Sequence, residues 1–309
     1  MVAIVSGNSL GLSLTSLATL GQRGVFGTAT QGQAGEQAFV NVANGNLVLQ
    51  DQDEYLAALG SDINSLRTYN SQGLLVGGIQ DSWAVGAMRQ RIDVSGSDLV
   101  RTDRDGARAT YTVDATSGYV TTGGEGAYDR IIRIGAEYLW TDGATGLQER
   151  YDASGRIMQS IDTDGQTVAY AYDLQGQLAA ITSSNGETVT YGYTNGQLTR
   201  INTTLADGNT LSKVSCEYDA SNRLTRAAID LTPADGSVAD GNVFETRYAY
   251  DGASSRIASI TQGDGTSLAF TYGQFGGQYK VTAVTDGLLH VTSFDYKAGY
   301  TTVIDPVGL

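Results

Sequence analysis

His290 is the only histidine in the 309 residues and Cys216 the only cysteine, and this scarcity limits the chemistry open to the chain. A metal centre built from several imidazoles or thiolates is excluded. A nucleophile with an imidazole base has one candidate base to draw on. His290 shares its alternation with Phe294 and Tyr296, the pattern of a histidine packed within a sheet. Cys216 alternates with Val214 and Tyr218, which reads as a packed thiol rather than a nucleophile. Gly7-Asn8-Ser9-Leu10-Gly11 fits a nucleophile elbow by letter, without the strand, turn and helix that such an elbow needs. Gly123-Gly124-Glu125-Gly126 lacks the spacing of a phosphate cradle and reads as a turn. Asp162-Thr163-Asp164-Gly165 and Asp103-Arg104-Asp105-Gly106 have calcium-loop letters but no third ligand or terminal Glu, so they too read as turns. Asn202-Thr203-Thr204 is a glycosylation sequon only in a secretory pathway. The residues imply no catalytic site, no cofactor and no metal.

Charge narrows the partners. Asp and Glu number 33 against 19 Lys and Arg, a formal charge of -14, so the surface repels phosphate backbones and anionic bilayers. Nucleic acid and membrane insertion are therefore not expected, and no apolar run is long enough to span a bilayer. Solubility explains the acidity, and a repulsive container wall or a partner-selective face would use it. Met1 to Leu20 has no basic start and is broken by Ser, Asn, Gly and Thr, a poor signal peptide. Export, if it occurs, would use a dedicated machine or an address carried elsewhere.

The elements that position these side chains show themselves as a repeat. Tyr151, Tyr172, Tyr193, Tyr218, Tyr250, Tyr272 and Tyr296 open successive units separated, by subtraction, by 21, 21, 25, 32, 22 and 24 residues. Each unit has a Tyr/Asp turn, a short strand, an Asp-Gly or Asn-Gly turn, and a strand returning to the next Tyr. The second turns fall at Asp164-Gly165, Asn185-Gly186, Asp207-Gly208, Asp264-Gly265 and Asp286-Gly287, where positive φ at a hairpin tip is expected. Returning strands alternate: Val168/Tyr170/Tyr172, Val189/Tyr191/Tyr193, Val214/Cys216/Tyr218, Tyr248/Tyr250 and Leu268/Phe270/Tyr272 form an apolar, aromatic face. Thr167, Ala169 and Ala171, or Thr188, Thr190 and Gly192, form the other face. With 40 Gly, 2 Pro and 18 Tyr, the composition fits an all-β fold of tandem antiparallel hairpins in one long curved sheet.

Three regions follow from this pattern. Residues 1–40 are Gly/Ser/Thr/Gln-rich and read as a flexible or docking leader. Residues 41–150 form a degenerate β-rich lead-in, with strands expected at Met88–Val94, Asp98–Thr102, Ala109–Val113, Arg130–Ile134 and Tyr138–Thr141. Residues 151–309 are the regular repeat sheet. One segment competes with the strand reading: Tyr55, Leu56, Leu59, Ile63 and Leu66 recur at helical spacing behind Asp51 and Asp53, although Gly60 interrupts them.

The motif Tyr151-Asp152-Ala153-Ser154-Gly155-Arg156-Ile157 returns as Tyr172-Asp173-Leu174-Gln175-Gly176-Gln177-Leu178 and Tyr218-Asp219-Ala220-Ser221-Asn222-Arg223-Leu224. It resembles the YD repeats of RHS proteins, a family that includes bacterial ABC-toxin cocoon subunits and teneurins. Gly45-Asn46-Leu47-Val48-Leu49 through Leu66-Arg67-Thr68-Tyr69-Asn70-Ser71 resembles the segment leading into those repeats. The resemblance implies a sheet winding into a spiral shell, a β-cocoon that encloses or presents a toxin polypeptide. The implied partners are toxin or other polypeptide cargo and adjoining YD repeats of a larger chain. The implied setting is an exported or extracellular bacterial protein of a polymorphic-toxin system, reached by a non-classical route. Family shells use more repeats than this chain shows, so it is expected to be an N-terminal piece of one.

Asp305-Pro306-Val307-Gly308-Leu309 matches the string after which RHS cores cleave themselves, which implies an autoprocessing aspartyl peptidase end. The Gly-Gly-x-Asn-Leu-Tyr segment that accompanies it in the family has no counterpart before Asp305, and the same letters serve as an ordinary repeat turn. The leading expectation is a non-enzymatic scaffold. An extracellular adhesion or carbohydrate-binding surface, using the insertions near Ala206–Leu211 and Leu231–Asn242, is the alternative.

Overall fold

The computed structural model describes residues 3–5, 30–31, 36–56, 62–73, 83–121, 126, 128–235 and 240–306. Alternating Val, Tyr, Thr and Leu residues with Gly-led turns make strands nearly throughout, and the strands sort into two sheets.

The outer sheet runs from Arg91–Ser95 to Tyr300–Ile304, and each strand pairs antiparallel with its neighbours in sequence. It is not closed into a barrel by its two end strands. Instead the first strand folds back on an early repeat: Arg91 bridges Arg156, and the Ile92 N–H donates to the Gly155 carbonyl at 2.8 Å. The strands between them form a small ring with its own core of Ile92, Leu99, Tyr111, Ile131, Tyr138, Trp140, Tyr151 and Ile157. Gly155 is required there for two reasons. Its φ is +81, and a Cβ on it would sit 1.8 Å from the Ile92 carbonyl oxygen.

The inner sheet has Glu36–Asn41 near its centre, with Ala3–Val5 parallel on one side and Asn46–Leu56 antiparallel on the other. Ile63–Asn70 and Trp83–Val85 follow in order, and Thr30–Gln31 pairs with Glu36–Asn41. Ala38, Phe39, Val40 and Asn41 are consecutive and at most 4% exposed, so both faces of this strand are covered. Leu47, Leu49, Ile63 and Tyr69 share one core with Val168, Ile181, Val214, Ile260 and Phe270 of the outer sheet. The outer sheet therefore curls its apolar face onto the inner one.

The repeat-face assignment holds at the strand centres: Val168, Val189, Tyr191, Val214, Cys216, Tyr248, Leu268 and Phe270 are buried, while Ala169, Thr190, Ala249 and Ala269 are exposed; toward the strand ends Tyr172 and Tyr193 on one face and Thr167 and Thr188 on the other are all half-buried. Other expectations need correction. The leader expected over residues 1–40 contributes buried core strands, because Ala3, Val5, Ala38 and Val40 find apolar partners a sequence scan cannot see. The helical spacing at 55–66 falls instead on strands Asn46–Leu56 and Ile63–Asn70, with a bulge between Gln52 and Glu54; Leu59 and Gly60 lie outside the described residues. Met88 sits in the short helix Gly86–Arg89, so the strand expected at Met88–Val94 begins only at Arg91. Gly118–Thr121 is an additional strand. His290 lies in a turn, exposed and 3.1 Å from Asp286, not within a strand; Leu289 takes the positive φ of +67 expected at Gly287. Gly7–Gly11, Gly123–Glu125 and Val307–Leu309 lie outside the described residues.

Candidate functional site

No described residue belongs to a group of three or more His, Cys, Asp or Glu side chains disposed to hold a metal. What the sheet builds instead is a repeated joint. Its geometry gives a role to each letter of the repeat.

The strand register shifts just before Tyr151, Tyr172, Tyr193, Tyr218, Tyr250 and Tyr272, so each of these repeat tyrosines sits at a bulge. From there the hydroxyl of each tyrosine after the first reaches back to the preceding unit. Tyr172 donates to the Ile157 carbonyl at 2.8 Å, Tyr193 to Leu178 at 3.0 Å and Tyr218 to Leu198 at 2.9 Å. Tyr250 donates to Leu224 at 2.7 Å, Tyr272 to Ile257 at 2.9 Å and Tyr296 to Val281 at 2.7 Å. Each acceptor is the residue paired with the previous repeat tyrosine, so the bonds form a chain from unit to unit. Tyr151 departs from this: it is fully buried and its hydroxyl donates to Glu149 inside the small ring.

The aspartate builds the turn. Asp152 Oδ1 accepts the N–H groups of Ser154 and Arg156, and Asp219 Oδ1 those of Ser221 and Arg223. Gly155 and Gly176 close their turns in the left-handed region, as Asn222 does at φ 63. Hydrogen bonds from the backbone and guanidinium of Arg223 hold the Asp219 carboxyl below its ordinary value. That brace aims the arginine at the next unit. Arg156 lies 5.0 Å from the Tyr172 ring centroid and Arg223 4.6 Å from that of Tyr250. Sequence reading singled out the tyrosines and missed these arginines, although the Tyr-Asp-x-x-Gly-Arg letters already contained them.

A second group of polar side chains ties the two sheets together. Arg67 Nε donates to Asp53 Oδ2 at 3.0 Å, and its Nη2 to Asp51 Oδ2 at 2.7 Å and Asp53 Oδ1 at 2.9 Å. Its Nη1 donates to the Tyr248 hydroxyl of the outer sheet at 3.0 Å, and the Trp83 ring lies 5.0 Å from the guanidinium and meets the Tyr248 ring edge-on at 4.9 Å. Nearby, the Tyr69 hydroxyl donates to the Ser255 carbonyl and accepts the Ile257 N–H, both at 3.0 Å. Tyr191 donates to Ser65 at 2.9 Å and Thr203 to Glu54 at 2.6 Å. Cys216 is buried against this group, and burial pushes its thiol up to about 12, which makes it inert at neutral pH. In the small ring, Arg101 stacks 3.8 Å from the Trp140 centroid and pairs with Glu149 at 2.8 Å.

A sheet that grows by one tyrosine-anchored hairpin at a time, with its aromatic side turned inward, defines a repeat wall. The family model described as RHS Repeat matches residues 151–188 and 172–210, and a model described as Domain of unknown function (DUF6531) matches residues 37–111. Residues 151–210 thus carry RHS/YD repeats. Similar solved structures include the crystal structure of TcdB2-TccC3-TEV, at 12% identity and TM-score 0.36, covering 88% of this chain and 16% of that one. The Photorhabdus luminescens Tc holotoxin pore is similar at 14% identity and TM-score 0.30, covering 84% and 14%. A porin-like protein from Bacteroides uniformis is similar at 13% identity and TM-score 0.28, covering 69% and 91%. The chain thus spans 16% of the length of the first of these and 14% of the second. No curated protein matches it. Among the described residues no helix is long and apolar enough to cross a membrane.

Proposed function

We propose that the chain is a structural scaffold, part of the wall of an RHS-type β-cocoon that encloses or presents a toxin or other polypeptide in an exported bacterial assembly. One observation carries this reading. The aromatic face of the repeat sheet is turned inward and packs on polypeptide, namely the inner sheet, while its small and polar positions face outward. A wall that recognises extended chain through apolar contact and scattered hydroxyl bonds needs no reactive group. Adjoining YD repeats would continue the same joint, since every unit offers the carbonyl that the next tyrosine takes.

Protease protection tests the proposal. In the full gene product, the enclosed polypeptide should survive a protease dose that digests the same polypeptide expressed alone. Digestion at equal rates would refute enclosure. A glycan array on the same preparation separates the adhesion reading, because tight binding to one sugar class would place the chain there instead.

A further inference from the structure

The junction between the two sheets contains charges that do not balance. Glu36, Asp51 and Asp53 stand against the one guanidinium of Arg67, and all four are at most 4% exposed. Arg67 is committed to Asp53 and to one oxygen of Asp51. Both carboxyl oxygens of Glu36 are buried, with the Tyr248 hydroxyl as their nearest polar neighbour and no well-formed hydrogen bond, and the Oδ1 of Asp51 is buried without a partner among the described residues. From the outer sheet the cluster faces Tyr248, Cys216, Tyr218 and Tyr250, none of which brings a positive charge. Gln262, opposite Thr246 and two ladder positions from Tyr248, is also buried with both amide atoms unpartnered.

Among the described residues, three buried carboxyls thus share the one guanidinium of Arg67. A proton neutralises a buried carboxyl in place with no further partner. We propose that Glu36 and Asp51 form a proton-operated latch between the sheets: protonated, they hold the inner sheet in the wall, and ionised, they release it.

The direction follows from linkage. Burial pushes Asp51 up to about 6 against the opposing pull of Arg67, and burial pushes Glu36 well above the carboxylate range. Both start from an ordinary value of about 4. A carboxyl raised on folding stabilises the folded state fully below its unfolded value, and that stabilisation is lost as pH rises through the folded value. The latch is tight in acid and loosens as pH passes 6 and Glu36 in turn ionises. This is opposite to acid unfolding driven by paired carboxylates. It does not depend on the cocoon reading, because an empty wall would carry the same latch.

Cys216, the only thiol, lies under the inner sheet and reports its release. The measurement is the rate of maleimide labelling of the native chain divided by that of the urea-unfolded chain at the same pH, which removes the thiol's own ionisation. Between pH 5.5 and 8.5 this ratio should rise at least about tenfold, since each raised carboxyl changes the opening equilibrium by up to about tenfold per pH unit. Glu36→Gln keeps the shape without the charge and should flatten the rise; Asp51→Asn is read the same way if that variant does not fold. A flat wild-type ratio, or a folded Glu36→Gln chain that follows the wild-type curve, would overturn the latch.

Discussion

In the repeat sheet, Tyr172, Tyr193, Tyr272 and Tyr296 each bond a carbonyl 15 residues back, and Tyr250 reaches 26. In the inner sheet, Arg67 and Tyr69 bond partners 181 to 188 residues away. The first arrangement is modular: each unit is fastened to its neighbour by the same bond, so damage to one joint leaves the others intact. The second is concentrated, because a few buried polar side chains carry the long-range polar contacts between the sheets, with little solvent to compensate a loss.

The largest effect should come from the concentrated side. Arg67→Met leaves Asp51 and Asp53 buried without their partner, and guanidinium denaturation should show a loss of about 3–5 kcal/mol. The loss should shrink in acid, where Asp51, already raised by burial, can take up a proton. A loss below that of a single repeat tyrosine would contradict the comparison.

Gly155→Ala comes next. It forces a Cβ into the left-handed region and against the Ile92 carbonyl, where Gly165, at nearly the same φ of +80, has nothing within 4 Å. Thermal melts should show about 1–2 kcal/mol for Gly165→Ala and a clearly larger loss for Gly155→Ala, the excess measuring the ring closure. Tyr172→Phe and Tyr193→Phe remove one hydroxyl bond each and should cost about 1 kcal/mol apiece, adding when combined. Arg223→Met, which loses the stacking on Tyr250 and bonds to the Gly252 and Ser254 carbonyls, should cost about 0.5–1 kcal/mol.

The same contrast explains what could be read from sequence. The repeat joint lies within one or two hairpins, so alternation and turn letters already placed Val168, Tyr170 and Tyr172 on one face. The inner sheet follows no such local pattern. Ala3–Val5 pairs parallel with Phe39–Asn41 across a long separation, and strands covered on both faces show no alternation to detect. The helical spacing from Tyr55 to Leu66 arises by coincidence across two strands. One signal was present for the junction: Asp51 and Arg67 are opposite charges that stand as cross-strand partners. His290 was misplaced because Leu289 takes a turn position where glycine is the usual choice, which hides the turn from a scan for Gly.

That the wall closes over the inner sheet is tested most directly by a double-mutant cycle on Arg67→Met and Tyr248→Phe, whose side chains belong to different sheets and meet at 3.0 Å. Denaturant unfolding of the wild type, both single variants and the pair should give a coupling energy of at least about 0.5–1 kcal/mol. Additivity within about 0.3 kcal/mol would mean that the two sheets do not touch there in solution.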